Sequence, residues 1–144
     1  TWTVGASPSW VSGTMWAIAN TGCSGQACNT GPPSGVSQFE ITVDGSSNLD
    51  YYDISVLAGF NIPLKVVPSN SGCVTVDCTA NSASACPNGY YTGYTVDKTQ
   101  TCGYGTNYDL YLCQWEHLYT RIYIKYHHKR SPQHVPFPFP FFFF

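Results

Sequence analysis

Apolar and polar positions alternate with a period of two through most of the first 113 residues, the spacing of strands rather than helices. From Leu49 onward, Leu49, Tyr51, Asp53 and Ser55 fall on one side of an extended chain, and Asp50, Tyr52, Ile54 and Val56 on the other. Aromatic and β-branched residues on both sides suit a pleated surface. Ala58-Gly59 breaks this run, and Pro63 keeps Ile62 extended as the chain restarts at Phe60. Phe39–Val43 is a second such run, and Asp44-Gly45 behind it is a turn signal, so the two runs form an antiparallel hairpin. Residues 2–18 read as two strands around a turn at Ser7-Pro8-Ser9, with Thr14, Trp16 and Ile18 opposite Met15, Ala17 and Ala19. Leu64–Val67 continues the post-proline strand. Tyr90–Cys102 and Tyr104–Cys113 are the last two, the latter with Tyr108, Leu110 and Leu112 on one side. Gly22–Gly35, stiffened by Pro32-Pro33, and Ser69–Ala85 read as loops, the second without a packed element of its own.

Composition agrees with an all-β domain. Thirteen glycines, ten prolines and eleven tyrosines with only 10% charged residues describe a turn-rich antiparallel fold. Seven cysteines among 144 residues place the chain in an oxidising compartment, secreted and extracellular. Thr1-Trp2-Thr3-Val4 has neither the basic start nor the apolar run of a signal peptide, and no stretch is long and apolar enough to span a membrane. The net charge of −2 hides a change of composition. Through Cys113, seven carboxylates face only Lys65 and Lys98; beyond it, Arg121, Lys125, Lys129 and Arg130 face only Glu116, and all four histidines follow. The globular domain is therefore expected over residues 1–113, with residues 114–144 an irregular basic and aromatic tail.

Two carboxylates stand out. Asp53 sits mid-strand among aromatics, and Glu40 lies in the neighbouring run. Such a pair can act as a glycosidase acid and nucleophile when its surroundings hold one carboxyl protonated; alternatively both are solvated strand-face acids. Asp50 points to the opposite face and stays outside the pair. Tyr51, Tyr52, Tyr90 and Tyr91 either stack on sugar rings or serve as sandwich core and rim. No Cys-x2-Cys pair exists and every histidine lies past the domain, so no metal site and no cofactor are expected. An acidic domain repels phosphates, which excludes nucleic acid as a partner.

The Tyr51-Tyr52-Asp53-Ile54-Ser55 strand running into Gly59-Phe60-Asn61-Ile62-Pro63 resembles the signature of the thaumatin-like proteins of pathogenesis-related group 5. Met15-Trp16-Ala17 with Thr21-Gly22-Cys23 agrees with it. So do Gly72-Cys73, Cys78, Cys86-Pro87, Asp97-Lys98-Thr99, Cys102 and Cys113 in their spacing. The similarity covers about residues 1–113 and is closest to short family members without the Cys-rich second domain, with no counterpart expected for the family's first strands. It implies a disulfide-stapled antiparallel β-sandwich with Cys23 paired to Cys28, Cys73 to Cys102 and Cys78 to Cys86, leaving Cys113 over.

The resemblance also implies an acidic cleft that binds β-1,3-glucan and in some members hydrolyses it. Of the five cleft positions, the Glu falls on Glu40 and one Asp on Asp53. Ala58 and Asn88 stand where two further Asp residues belong, and no arginine precedes Arg121. The implied function is that of a secreted, monomeric defence or cell-wall protein binding β-glucan, with at most weak endo-glucanase activity. The competing expectations are a protein inhibitor of α-amylase or xylanase type, or an inactive truncated product. Tyr119–Lys129 alternates aromatic or β-branched with basic residues, and residues 136–144 are only proline and phenylalanine. That segment reads as a membrane-surface anchor or, more simply, as sequence added by a gene-model error beyond Cys113.

Overall fold

The computed structural model describes residues 2–6, 10–17, 32–82, 84–87, 98–113, 119–126 and 141–143. Ten strands lie among them: β1 Trp2–Ala6, β2 Gly13–Ala17, β3 Gln38–Thr42, β4 Leu49–Ser55, β5 Leu64–Pro68, β6 Val76–Cys78, β7 Gln100–Gly103, β8 Tyr108–Cys113, β9 Tyr119–Tyr126 and β10 Phe141–Phe143. They form two five-stranded sheets, β1-β9-β8-β5-β6 and β10-β2-β3-β4-β7. Every described pairing is antiparallel except β1 with β9. The all-β fold expected from the alternation is observed, and so is the disulfide stapling that the resemblance implies, at Cys73–Cys102 and Cys78–Cys86. Among the described residues no helix is long and apolar enough to cross a membrane.

The expected hairpin is β3–β4, and its alternation decides the layering. Phe39, Ile41, Tyr52 and Ile54 point inward and are wholly or almost wholly buried. They join Leu64, Val66, Leu110 and Ile124 from the opposite sheet. The turn between β3 and β4 holds Asp44, Ser47 and Asn48 at positive φ, a conformation that short polar side chains tolerate better than others. The loop after β4 explains the glycine of the family signature. Gly59 has φ +133°, and a Cβ there would run into the Cα and carbonyl carbon of Gly35. Asn61 follows as a clamp. Its Oδ1 accepts from Ser37 N–H at 2.9 Å, and its amide donates to the Ala17 carbonyl at 2.7 Å. The buried Ser37 hydroxyl donates to the Ile62 carbonyl at 2.6 Å and accepts from the N–H groups of Asn61 and Ile62.

A buried polar link crosses the core. Tyr108 on β8 donates its hydroxyl to Asp50 Oδ2 on β4 at 2.9 Å, and the Asp44 N–H donates to Asp50 Oδ1 at 3.0 Å. Asp50 is fully buried. Burial pushes its carboxyl up from the usual value, and these two donors partly offset that. The Tyr108 ring lies 5.1 Å from that of Tyr52 and 6.5 Å from that of Phe39, centroid to centroid. Disulfides Cys73–Cys102 and Cys78–Cys86 are formed as expected, the first tying β7 of one sheet to the loop that precedes β6 of the other. Cys23 and Cys28 lie outside the described residues.

Three details depart from the sequence reading. β1 and β2 are not hairpin partners: β1 joins β9 in one sheet and β2 joins β3 in the other. The stretch 69–85 contributes β6, whose Val76 and Cys78 are fully buried beside β5. Its Ser, Ala and Asn content hides a three-residue strand held by tertiary pairing. The tail is not uniformly irregular either, since β9 lies between β1 and β8 and buries Ile124.

Two substitutions probe this framework. Gly59→Ala should cost about 2–3 kcal/mol in urea unfolding, from left-handed strain plus the Gly35 collision. Tyr108→Phe should cost about 1.5–3 kcal/mol at neutral pH by removing a donor from a buried charge. An acid whose folded-state value is raised binds its proton more readily folded than unfolded. The Asp50 contribution to stability therefore grows as pH falls through that raised value and levels off below the ordinary 3.8. The Tyr108→Phe deficit should accordingly shrink on acidification, and Asp50→Asn should flatten this part of the stability profile.

Candidate functional site

The outward face of the second sheet carries the chemistry. β3 pairs with β4 so that Glu40 stands directly opposite Asp53. β2 pairs with β3 so that Thr14 stands opposite Glu40. β4 pairs with β7 with Tyr52 opposite Gln100, which brings Thr99, one residue earlier, alongside Asp53. A row therefore crosses the sheet: Thr14, Glu40, Asp53, Thr99. Two residues along the strands, on the same face, Thr42 stands opposite Tyr51.

These rows floor a groove of about 320 Å³ whose lining also includes Ser12. Its wall is braced from the β2 side, where Ser12 N–H donates to Thr42 Oγ1 at 3.0 Å and Val43 N–H donates to the Trp10 carbonyl at 2.8 Å. Tyr51 forms a rim. Its hydroxyl donates to the Ser46 carbonyl at 3.0 Å, and its ring lies so close over Gly45 that a Cβ there would approach within 2.9 Å. Glycine at position 45 is what lets the ring lie back along the turn.

Glu40 and Asp53 are hydrogen-bonded to each other through their side chains. Thr99 Oγ1 donates to Asp53 Oδ2 at 3.1 Å. Asp53 is only 7% exposed despite facing outward. Burial pushes the Glu40 carboxyl above its ordinary range, and the hydrogen bond to Asp53 partly opposes that rise. Among the described residues no basic side chain lines the groove. Among the described residues no group of three or more His, Cys, Asp or Glu side chains could hold a metal.

The structure thus brings Glu40, Asp53 and Tyr51 together. Tyr52 is a correction: it points to the other side of β4, is fully buried, and donates its hydroxyl to the Val74 carbonyl at 2.5 Å. Burial pushes that hydroxyl up to about 12, and the ring is closed to ligand. Its placement follows from strand alternation, since neighbours on a strand cannot share a face. Tyr90, Tyr91 and Asn88 lie outside the described residues. Thr14, Thr42 and Thr99 were missed as groove residues, because single threonines in strands carry no local signal. Only the pairing of β2 and β7 with the hairpin assembles them.

Comparison with known proteins now adds to this geometry. The profile of the thaumatin family matches residues 1–116. The pathogenesis-related thaumatin-like protein 3.8 of Cryptomeria japonica is 37% identical over 102 residues, covering 60% of this chain and 44% of that protein. The pathogenesis-related 5 protein Jun a 3.0101 of Juniperus ashei is 36% identical over 103 residues, covering 61% and 44%. A PR5-like receptor kinase of Arabidopsis thaliana is 33% identical over 103 residues, covering 56% of this chain and 15% of the kinase. The chain thus spans less than half the length of these curated relatives.

The carboxyl pair makes its own prediction. With its folded-state value raised, Glu40 favours folding on the acid side and loses that contribution as pH rises through the raised value. Glu40→Gln should leave stability unchanged in acid and raise it by about 0.5–1 kcal/mol in mild alkali, where two facing carboxylates repel. Urea midpoints across pH read this directly.

Proposed function

The chain belongs to the thaumatin family, and from that premise we propose that it is a secreted, defence-type protein of the cell wall whose groove binds β-1,3-glucan. The observation that carries the reading is the row of Thr14, Glu40, Asp53 and Thr99 set in the floor of an open groove. Hydroxyls flanking a carboxyl pair supply both donors and acceptors, which is what a polyhydroxylated chain requires. Tyr51 at the rim adds an apolar ring of the kind that stacks on a sugar face. Two of the relatives matched are named pathogenesis-related, which supports the defence assignment. The two described disulfides support an extracellular setting.

Binding is favoured over hydrolysis by the spacing of the acids. Glycosidases hold their two carboxyls about 5–5.5 Å apart when retaining and about 6.5–9.5 Å apart when inverting. Glu40 and Asp53 stand directly opposite each other on paired strands and hydrogen-bond through their side chains, an arrangement that offers neither carboxyl separately across a scissile bond. Among the described residues no arginine stands at the groove to hold a substrate hydroxyl or offset the negative charge.

The folded, disulfide-bonded chain should be retained on insoluble β-1,3-glucan and released by soluble laminarin, without measurable reducing-end formation. Tyr51→Ala should weaken retention roughly 3–10-fold, the range of one lost aromatic contact. Failure of the wild-type chain to bind would remove this reading. Steady turnover of laminarin that disappears in Glu40→Gln would overturn the claim that binding stands alone.

A further inference from the structure

Disulfides differ in how far a thiol can reach them, because exchange begins when a thiolate attacks one of the two sulfurs. Cys78 and Cys86 are both buried, at 0% and 2% exposed. Cys102 is as buried as they are, but its partner Cys73 is only partly so. Cys73 sits in a turn whose neighbouring residues Ser71, Gly72, Val74 and Thr75 are exposed. Of the two described disulfides, Cys73–Cys102 is therefore the one with a cysteine open to solvent. Its place in the fold matters too. β7 ends its sheet, pairs with β4 and buries one of its four residues, Cys102, so the bond to Cys73 tethers this edge strand across to the other layer. Thr99, one residue ahead of β7, lines the groove and donates to Asp53. We propose that Cys73–Cys102 is a reducible latch: a dithiol reductant opens it ahead of Cys78–Cys86, loosens β7 and the Thr99 side of the groove, and lowers the groove's affinity for its ligand.

The step balances as thiol–disulfide exchange. A thiolate of the dithiol attacks Cys73 Sγ, a new S–S bond forms as the Cys73–Cys102 bond breaks, and the electron pair leaves on Cys102 Sγ. The Thr106 hydroxyl lies 3.1 Å from that sulfur, within reach to hydrogen-bond the departing thiolate before it takes up a proton. The reductant's second thiol then attacks its own sulfur in the mixed disulfide and releases Cys73. The protein gains two electrons and two protons, and the dithiol becomes a disulfide. Cys73–Cys102 spans 29 positions of sequence and joins the two sheets, whereas Cys78–Cys86 spans 8 directly behind β6, so opening the former releases the larger constraint. Other links hold the layers meanwhile. The Tyr52 hydroxyl still donates to the Val74 carbonyl beside Cys73, and Tyr108 still donates to Asp50, while β7 keeps its ladder to β4 without the tether. The effect on a sugar rests on the glucan reading; the order of reduction and the loosening of β7 do not.

Dithiothreitol titrated onto the whole folded chain, with iodoacetamide trapping and peptide mass spectrometry, reads the order of opening. Amide hydrogen exchange on the same samples reads β7. Cys73 and Cys102 should be trapped at reductant concentrations about tenfold below those that label Cys78 and Cys86. At that point exchange across Gln100–Gly103 should quicken about tenfold while β3 and β5 keep their protection. Laminarin affinity should fall about 3–10-fold, and re-oxidation should restore both. Cys73→Ser combined with Cys102→Ser should show the reduced-state exchange and affinity without reductant. Labelling of Cys78 and Cys86 first, or of all four together with protection lost throughout, would overturn the latch. So would opening of Cys73–Cys102 with β7 exchange unmoved. If the double variant does not fold, reduction of the wild-type chain decides alone. Ordered opening in a chain that never binds laminarin would remove the glucan reading and leave the latch standing; binding that is equally tight before and after reduction would overturn its coupling to the groove.

Discussion

The register that sets Glu40 against Asp53 is the constraint on which both the core and the groove depend. A slip of one residue between β3 and β4 would move the facing partners out of step. Turning either strand over would carry its core residues to solvent and its carboxylate into the core. Two devices hold the register at opposite ends of the hairpin. At the turn, the left-handed residues Asp44, Ser47 and Asn48 reverse the chain, closed by the Gly45 N–H on the Leu49 carbonyl at 2.8 Å. At the other end the buried hydroxyl of Ser37 and the amide of Asn61 fasten the start of β3, the loop beyond β4 and the last residue of β2 to one another. The asparagine and glycine of the family signature are therefore framework residues. They locate the acids without touching them.

Much of this was legible in the chain, because local alternation already encodes a layer. The faces of β4 could be assigned from spacing alone, and with them the separation of Asp50 from Asp53. The same alternation argued against Tyr52 as a groove residue once Tyr51 and Asp53 were placed there. A ligand contact from Tyr52 is incompatible with the period that places Tyr51 and Asp53 on the outward face. The two threonines of the row were illegible for a different reason. Thr14 reaches Glu40 across 26 positions of sequence and Thr99 reaches Asp53 across 46. Pairings that distant are set by tertiary packing, to which residue type contributes almost nothing.

The departures in the fold have the same origin. β6 is a strand because β5 offers it an open edge, and a three-residue strand has no period long enough to read. β9 alternates clearly in sequence, Tyr119–Tyr126 carrying aromatic and β-branched residues between basic ones, yet its composition argued against membership in an acidic domain. Alternation was the better guide there. A strand with one apolar face and one charged face can pair at the side of β8 whatever its net charge, since only the inward side chains, such as Ile124, enter the core.

Asp50 and Asp53 then illustrate two outcomes for a carboxylate on one strand. Asp50, inside, is satisfied by a tyrosine of the opposite sheet, which ties the two layers together, and by a backbone N–H of its own hairpin turn; its position within the core leaves no path to a ligand. Asp53, on the outward face, is nearly as buried but is met by a second acid and a threonine in the floor of an open groove. Facing acids on adjacent strands oppose folding unless one keeps its proton, and an opposing Lys or Arg would have removed that cost with no loss to the core. Departures from local consistency of this kind concentrate where a protein meets its ligand. That asymmetry separates the two kinds of carboxylate: the inward acid is explained entirely by what it holds together, whereas the outward pair holds no layers together and lies open to the groove.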